Sequence, residues 1–163
     1  MDTVDRKELE LPLNDGLYHL EPEEKEFFDR WTGIHDEDEL KRHILDCQAK
    51  AYAVFPYPCI RTFSFLRLKI MNLPGYQNLL KLGRERKDAI FVEFAACFGQ
   101  ELRKVVQDGF PLDNIVATDR NSGTPSLPFA APHPTYLFTP IPGFWELGHQ
   151  LFNSTPQTFP VPF

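Results

Sequence analysis

"IFVEFAACFGQELRKVVQDG", residues 90–109, is the stretch on which the fold turns. It opens inside an apolar run broken by a single acid (88–96), the composition of a strand buried on both faces. Small residues follow at Ala95-Ala96-Cys97-Phe98-Gly99, and then a helical pattern over 99–109. Leu102, Val105 and Val106 share one face of that helix, and Gly109 stands where a helix terminator belongs. "NIVATD" (114–119) reads as a second buried strand ending in an aspartate. Strand, helix and strand within about 30 residues predict the βαβ unit of a parallel sheet.

Upstream the pattern is helical. "EPEEKEFFDRWTG" (21–33) has a proline at its first helical position, acids in its first turn and a glycine just past its end. Phe27, Phe28 and Trp31 form its expected buried stripe. "DEDELKRHILDCQAKAYAVF" (36–55) continues as a longer helix, with Leu40, Ile44, Cys47, Ala51, Tyr52 and Phe55 on one apolar face. The acids from Asp36 to Glu39 suit the positive end of its dipole. "FPYPC" (55–59) ends it, and a further short helix is expected within 73–88, with Pro74 near its start. The expected organisation is a flexible acidic arm (1–20), a helical cap (21–87) and a partial Rossmann-like unit (88–163).

Downstream the periodicity stops. Residues 121–145 contain no charged side chain, and nine of the 15 prolines fall between 125 and 163. A structureless stretch of that length is rare inside a compact domain. Residues 120–141 therefore read as a disordered stretch with the composition of translated non-coding sequence. Helical pattern returns in "GFWELGHQLF" (143–152).

Bulk properties narrow the function. Residues 1–46 carry 15 acids against 6 bases, and the remainder 8 acids against 11 bases. An acidic front and a diffuse positive balance behind it argue against nucleic-acid and anionic-membrane partners, which need clustered Lys and Arg. No apolar run is long enough to span a membrane, and the charged N-terminus has no signal-peptide core. Three cysteines without a CxxC pair suggest reduced thiols and a soluble, cytoplasmic protein. His43 and Cys47 lie four apart on the second helix, but no third ligand is spaced to complete a metal site.

A βαβ unit binds its ligand at the carboxyl ends of the strands, beside the helix N-terminus. Glu93 ends the first strand here, and Asp119 ends the second, 20 residues beyond Gly99. A carboxylate in the latter place accepts hydrogen bonds from ribose hydroxyls, so the expected ligand is a nucleoside-bearing cofactor. The turn has neither GxGxxG nor GxxxxGK[ST], so nothing is built to cradle a pyrophosphate. S-adenosyl-L-methionine, which has no phosphate, fits that description.

"FVEFAACFGQELRKVVQDGFPLDNIVATD" (91–119) resembles the first cofactor-binding block of fungal class I S-adenosylmethionine-dependent methyltransferases of meroterpenoid and polyketide biosynthesis. "KAYAVFPYPCIRTFSFL" (50–66) and "FWELGHQLF" (144–152) are similar to further blocks of that family. That residues 120–141 are an insert, and so a retained intron, is what the resemblance of the flanking blocks implies. The resemblance implies an α/β fold: a helical cap followed by the first βαβα portion of a Rossmann-like sheet, incomplete at the C-terminus. It implies a cofactor site at Glu93, Ala95, Cys97, Gly99 and Asp119, with Glu93 at the methionine end, Gly99 giving close backbone approach and Asp119 holding the ribose. It implies O-methyl transfer, by in-line displacement, to a hydroxyl or carboxyl of a small polyketide- or terpenoid-like acceptor, with no nucleophile motif required. A homodimer is the assembly the resemblance suggests. Where the family has its first glycine, Ala95 stands, and its Cβ would crowd the methionine moiety if φ is positive there. Tyr57, Cys59 and Arg61 read either as a lid or as a proline-pinned connection. Two rivals stay open: a non-catalytic interaction or regulatory fragment, and a nicotinamide-dependent oxidoreductase, which the missing GxGxxG disfavours.

Overall fold

In a computed structural model, residues 11–119 and 143–163 are described. The insert expected at 120–141 and the first half of the acidic arm lie outside them. Residues 11–20 run against the helices that follow. Tyr18 meets Phe63 edge-on at 5.7 Å, and the backbone carbonyls of Leu11 and His19 accept from the Tyr52 hydroxyl and from Arg67.

Helix α1 is Pro22–Thr32, and its boundaries follow from its ends. Pro22 occupies the first turn, where its missing N–H costs nothing, and the Glu21 N–H donates back to the Glu24 carboxylate at 2.9 Å. Gly33, at φ 71°, closes the other end with its N–H on the Asp29 carbonyl. Helix α2, Glu37–Val54, starts where the Asp36 carboxylate accepts from the Glu39 N–H at 2.8 Å. It stops before Pro56, and Pro58 then opens a one-turn helix α3, Pro58–Arg61, that the proline-rich composition had concealed. The Gln48 side chain anchors that turn by donating to the carbonyls of Ile60 and Arg61. Helix α4 is Tyr76–Glu85.

Strand β1 (Phe91–Phe94), helix α5 (Gln100–Gln107) and strand β2 (Ile115–Thr118) form the parallel βαβ unit. The register pairs Phe91 with Ile115, Glu93 with Ala117 and Phe94 with Thr118. Helix α6, Phe144–Leu151, follows, and the chain then runs back along β2, where the Ala117 N–H donates to the Pro162 carbonyl at 2.9 Å. β2 is thus bordered by β1 on one side and by the terminal segment on the other.

Two apolar clusters hold these parts together. The first joins Phe27, Phe28, Leu40, Ile44 and Ile60 to Phe98, Leu147 and Phe152, so the helical cap and the turn share one core. The second gathers Tyr76, Leu80, Leu102, Val105, Phe110 and Ile115, which puts α4 with the sheet although its sequence reads as cap.

One expectation is corrected. β1 is not buried on both faces: Phe94 is 79% exposed and Val92 41%, while Phe91 and Glu93 between them are half-buried. α4 and α5 pack with Ile115 and Ala117 in one cluster, and among the described residues nothing covers the opposite face. An apolar strand composition states that both faces avoid water; it does not supply the second layer.

Candidate functional site

The parallel register brings the carboxyl ends of β1 and β2 together, and the loop leaving β1 turns over them. The Ala96 N–H donates to the Thr118 carbonyl at 2.9 Å, extending the ladder by one bond. One residue on, the Cys97 N–H donates to the Asp119 carboxylate at 2.8 Å. The acid closing the second strand therefore sits on the rim of the turn that follows the first. Within that turn every second residue is left-handed: Ala95 at φ 59°, Cys97 at 52° and Gly99 at 71°. A left-handed alanine or cysteine costs on the order of 1–2 kcal/mol, so the shape is imposed by its surroundings.

Those surroundings are specific. A Cβ on Gly99 would come within 2.6 Å of the Trp145 ring and 2.9 Å of an Arg103 nitrogen. A Cβ on Gly148, in α6, would lie 2.4 Å from the Phe98 carbonyl oxygen. Only a glycine lets α6 approach the turn this closely. On the other flank the Glu101 carboxylate receives the N–H groups of Lys69 (2.8 Å) and Ile70 (3.1 Å), tying the start of α5 to the cap.

Glu93 points inward from β1. Its Oε2 is buried without a hydrogen-bond partner among the described residues. Burial, with Glu101 and Asp119 nearby, pushes its carboxyl up to about 8. A buried acceptor without a donor is unfavourable, and a cationic or N–H-bearing ligand at the strand end would satisfy it. The Cys97 thiol is likewise pushed up, by burial first and then by Cys59 and Asp119, which removes any thiolate character from it. Glu93, Ala95, Cys97, Gly99 and Asp119 lie along one short path from the end of β1 to the end of β2.

Other sequence candidates sort differently. The His43 imidazole bonds the Leu151 carbonyl at 2.9 Å, and Cys47 is buried with its thiol pushed up to about 11. Among the described residues no group of three metal-ligating side chains occurs. Tyr57 packs on Phe55 at 4.3 Å and on Phe144 at 5.7 Å, whereas Cys59 is exposed, within electrostatic reach of Asp119. Sequence reasoning missed Arg103, which is 1% exposed beneath the turn. Its aromatic neighbours come from distant segments, so no local spacing marks it.

The structure is a partial α/β fold: a helical layer joined to a two-stranded parallel sheet. Residues 14–66, covering α1 to α3, match the family described as the meroterpenoid methyltransferase N-terminal domain. The chain is 41% identical over 85 residues to the Asnovolin E/Chermesin D methyltransferase of Aspergillus novofumigatus, covering 52% of this chain and 30% of that protein. It is 38% identical over 82 residues to an O-methyltransferase of Stereocaulon alpinum (50% and 23%). A methyltransferase of Penicillium rubens matches over 119 residues at 33% identity, covering 73% of this chain and 35% of that protein. The chain is thus related to the methyltransferases of fungal secondary metabolism, and it spans only about a third, or less, of the length of these relatives. No solved structure matches. Among the described residues no helix is long and apolar enough to cross a membrane.

Proposed function

We propose that the turn at Ala95–Gly99 is the cofactor seat of an S-adenosylmethionine-dependent methyltransferase, and that the βαβα unit is the opening of a Rossmann-like class I sheet. The observation that carries the reading is the Cys97 N–H bonded to the Asp119 carboxylate across the ends of two parallel strands. It puts an acid in reach of a ribose lying on a turn that lacks the GxGxxG of a pyrophosphate cradle. Support for the Rossmann-like order comes from the terminal segment, which borders β2 on the edge away from β1.

The residues fit the cofactor in kind. Asp119 would accept from the ribose hydroxyls, and the unpartnered Glu93 Oε2 would receive the methionine ammonium. Ala95, Cys97 and Gly99 would bring backbone close to it, and the Ala95 Cβ is the group that crowds this approach. S-adenosylmethionine supplies an electrophilic methyl group on a sulfonium. The chain contributes binding, orientation and exclusion of water, the effects on which such a transfer depends. The acceptor is a hydroxyl or carboxyl of a small polyketide- or terpenoid-like molecule, in keeping with the meroterpenoid methyltransferase family match and with the O-methyltransferase among the relatives.

Titration calorimetry with S-adenosylmethionine tests this. A saturable heat is expected, weakened at least tenfold in Asp119→Ala because a charge-assisted bond is worth about 1.5–3 kcal/mol. No saturable heat, or unchanged affinity in that variant, overturns it. A second reading, a non-catalytic interaction fragment, draws on the apolar outer face at Ile90, Val92 and Phe94, and it predicts no heat with the cofactor.

A further inference from the structure

Arg103 is a cation buried to 1% exposure, and among the described residues no carboxylate pairs with it. Its Nη1 donates to two successive carbonyls of the turn, Phe98 at 3.0 Å and Gly99 at 3.2 Å. Its Nη2 donates to the Ser154 hydroxyl at 2.9 Å, beyond α6. The guanidinium carbon lies 4.3 Å from the Phe152 ring centre and 4.2 Å from that of Phe159, with Trp31 and Trp145 at 5.8 and 5.9 Å. Nε has no partner. Burial lowers its affinity for the proton, to about 9, which still leaves it charged at neutral pH.

Burying an ion without a counter-ion costs several kcal/mol, and a hydrophobic side chain of similar volume would fill an aromatic cage without that cost. What such a side chain could not do is hold two consecutive carbonyls and a hydroxyl at once, the task a rigid planar fork performs. The carbonyls it holds belong to the residues that complete the left-handed turn, and a Cβ on Gly148 would collide with the Phe98 oxygen. Aromatic faces supply the attraction that a carboxylate otherwise would.

We infer that Arg103 is a positioning residue: through the Phe98 and Gly99 carbonyls it clamps the strained turn in the shape that receives the cofactor, and through Ser154 and the aromatic cage it makes that shape depend on the segment after α6. The clamp is a property of the chain alone; only its purpose rests on the cofactor reading.

Hydrogen exchange of the full chain, with and without S-adenosylmethionine, separates the two. In Arg103→Lys, the Ala96, Cys97 and Gly99 amides should exchange at least tenfold faster in the ligand-free protein, while those of α2 keep their rates. Affinity for S-adenosylmethionine should fall at least tenfold. Ser154→Ala, which leaves the guanidinium in place, should accelerate the same three amides by a smaller factor and covers the case in which the lysine variant does not fold. Leu40→Ala, a cavity in the cap, should lower stability without selectively loosening the turn. Turn amides that exchange at the wild-type rate in both Arg103→Lys and Ser154→Ala overturn the inference. Faster turn exchange in a protein that binds no S-adenosylmethionine upholds the clamp and removes the methyltransferase reading.

Discussion

Gly33 and Gly99 share a φ of 71° and little else. Gly33 ends α1 in the cap, and a Cβ placed on it would meet nothing within 4 Å. Gly99 opens α5 beneath the turn, and a Cβ there would strike Trp145 and Arg103. The contrast holds for the two regions at large. The cap satisfies its helix ends with its own side chains, Asp36, Glu24 and Gln48 among them, and buries Phe27, Phe28, Leu40 and Ile44 almost completely. The sheet unit keeps two non-glycine residues left-handed within three positions, Ala95 and Cys97, against Phe63 in the cap, and it exposes one apolar face; a buried carboxylate oxygen without a partner among the described residues occurs in both, on Glu93 and on Asp29. Favourable packing and capping are concentrated in the cap and left-handed backbone is densest in the turn, a division between scaffold and site. The shared core around Phe98 and Phe152 is how the first supports the second.

The sharpest way to break this contrast is to empty the scaffold. Phe28 is fully buried, stacked on Phe152 at 5.3 Å and edge-on to Phe27 at 5.4 Å. Phe28→Ala should destabilise by about 3–5 kcal/mol in urea titration, and the turn should loosen along with the cap because Phe152 serves both.

Next in size is a pH dependence. The Glu93 carboxyl is raised from its ordinary value of 4.5 to about 8, so between these the folded chain binds a proton that the unfolded chain has released. Its contribution is complete below the ordinary value and is lost as pH rises through about 8, at up to about 1.4 kcal/mol per pH unit. Glu93→Gln should flatten the fall in stability over that range, measured by urea midpoints at several pH values.

Two glycine substitutions then test the comparison directly. Gly99→Ala should cost about 3 kcal/mol, combining left-handed strain with overpacking, and should abolish cofactor heat. Gly33→Ala should cost about 1 kcal/mol, strain alone, and leave binding untouched. Similar losses for the two would mean that the walls around Gly99 yield.

The smallest effect has the opposite sign. Ala95→Gly relieves a left-handed alanine on an exposed stretch and should stabilise by about 0.5 kcal/mol after the entropy of the added glycine is offset. Tighter S-adenosylmethionine binding in the same variant would identify the Ala95 Cβ as the crowding group.

Periodicity and end signals made much of this legible. α1, α2, α5 and α6 follow their apolar spacing and their proline, acid and glycine punctuation, and the parallel pairing follows from two apolar runs flanking one helix. The meeting of Asp119 with the turn at Cys97 was readable as well, because a βαβ unit fixes where a strand-ending acid and a small-residue turn come together. Local composition does not record which layer covers a strand, so the exposed face of β1 went unread. Nor did it show α3, hidden between prolines that here begin a helix as well as end one.

By itself, then, the amino-acid order determined the helical cap, the parallel βαβ unit and the location of the turn, all of them matters of neighbours within one or two helical turns or strand pairs. Tertiary structure alone decided that α4 packs with the sheet, that Gly148 lets α6 touch the Phe98 carbonyl, and that Arg103, with no carboxylate partner among the described residues, sits among rings drawn from residues 31, 145, 152 and 159. The physical reason is range. Propensity and capping act between residues a few positions apart, whereas a buried charge, a close approach and the strain they sustain depend on groups that meet only once the chain has closed on itself.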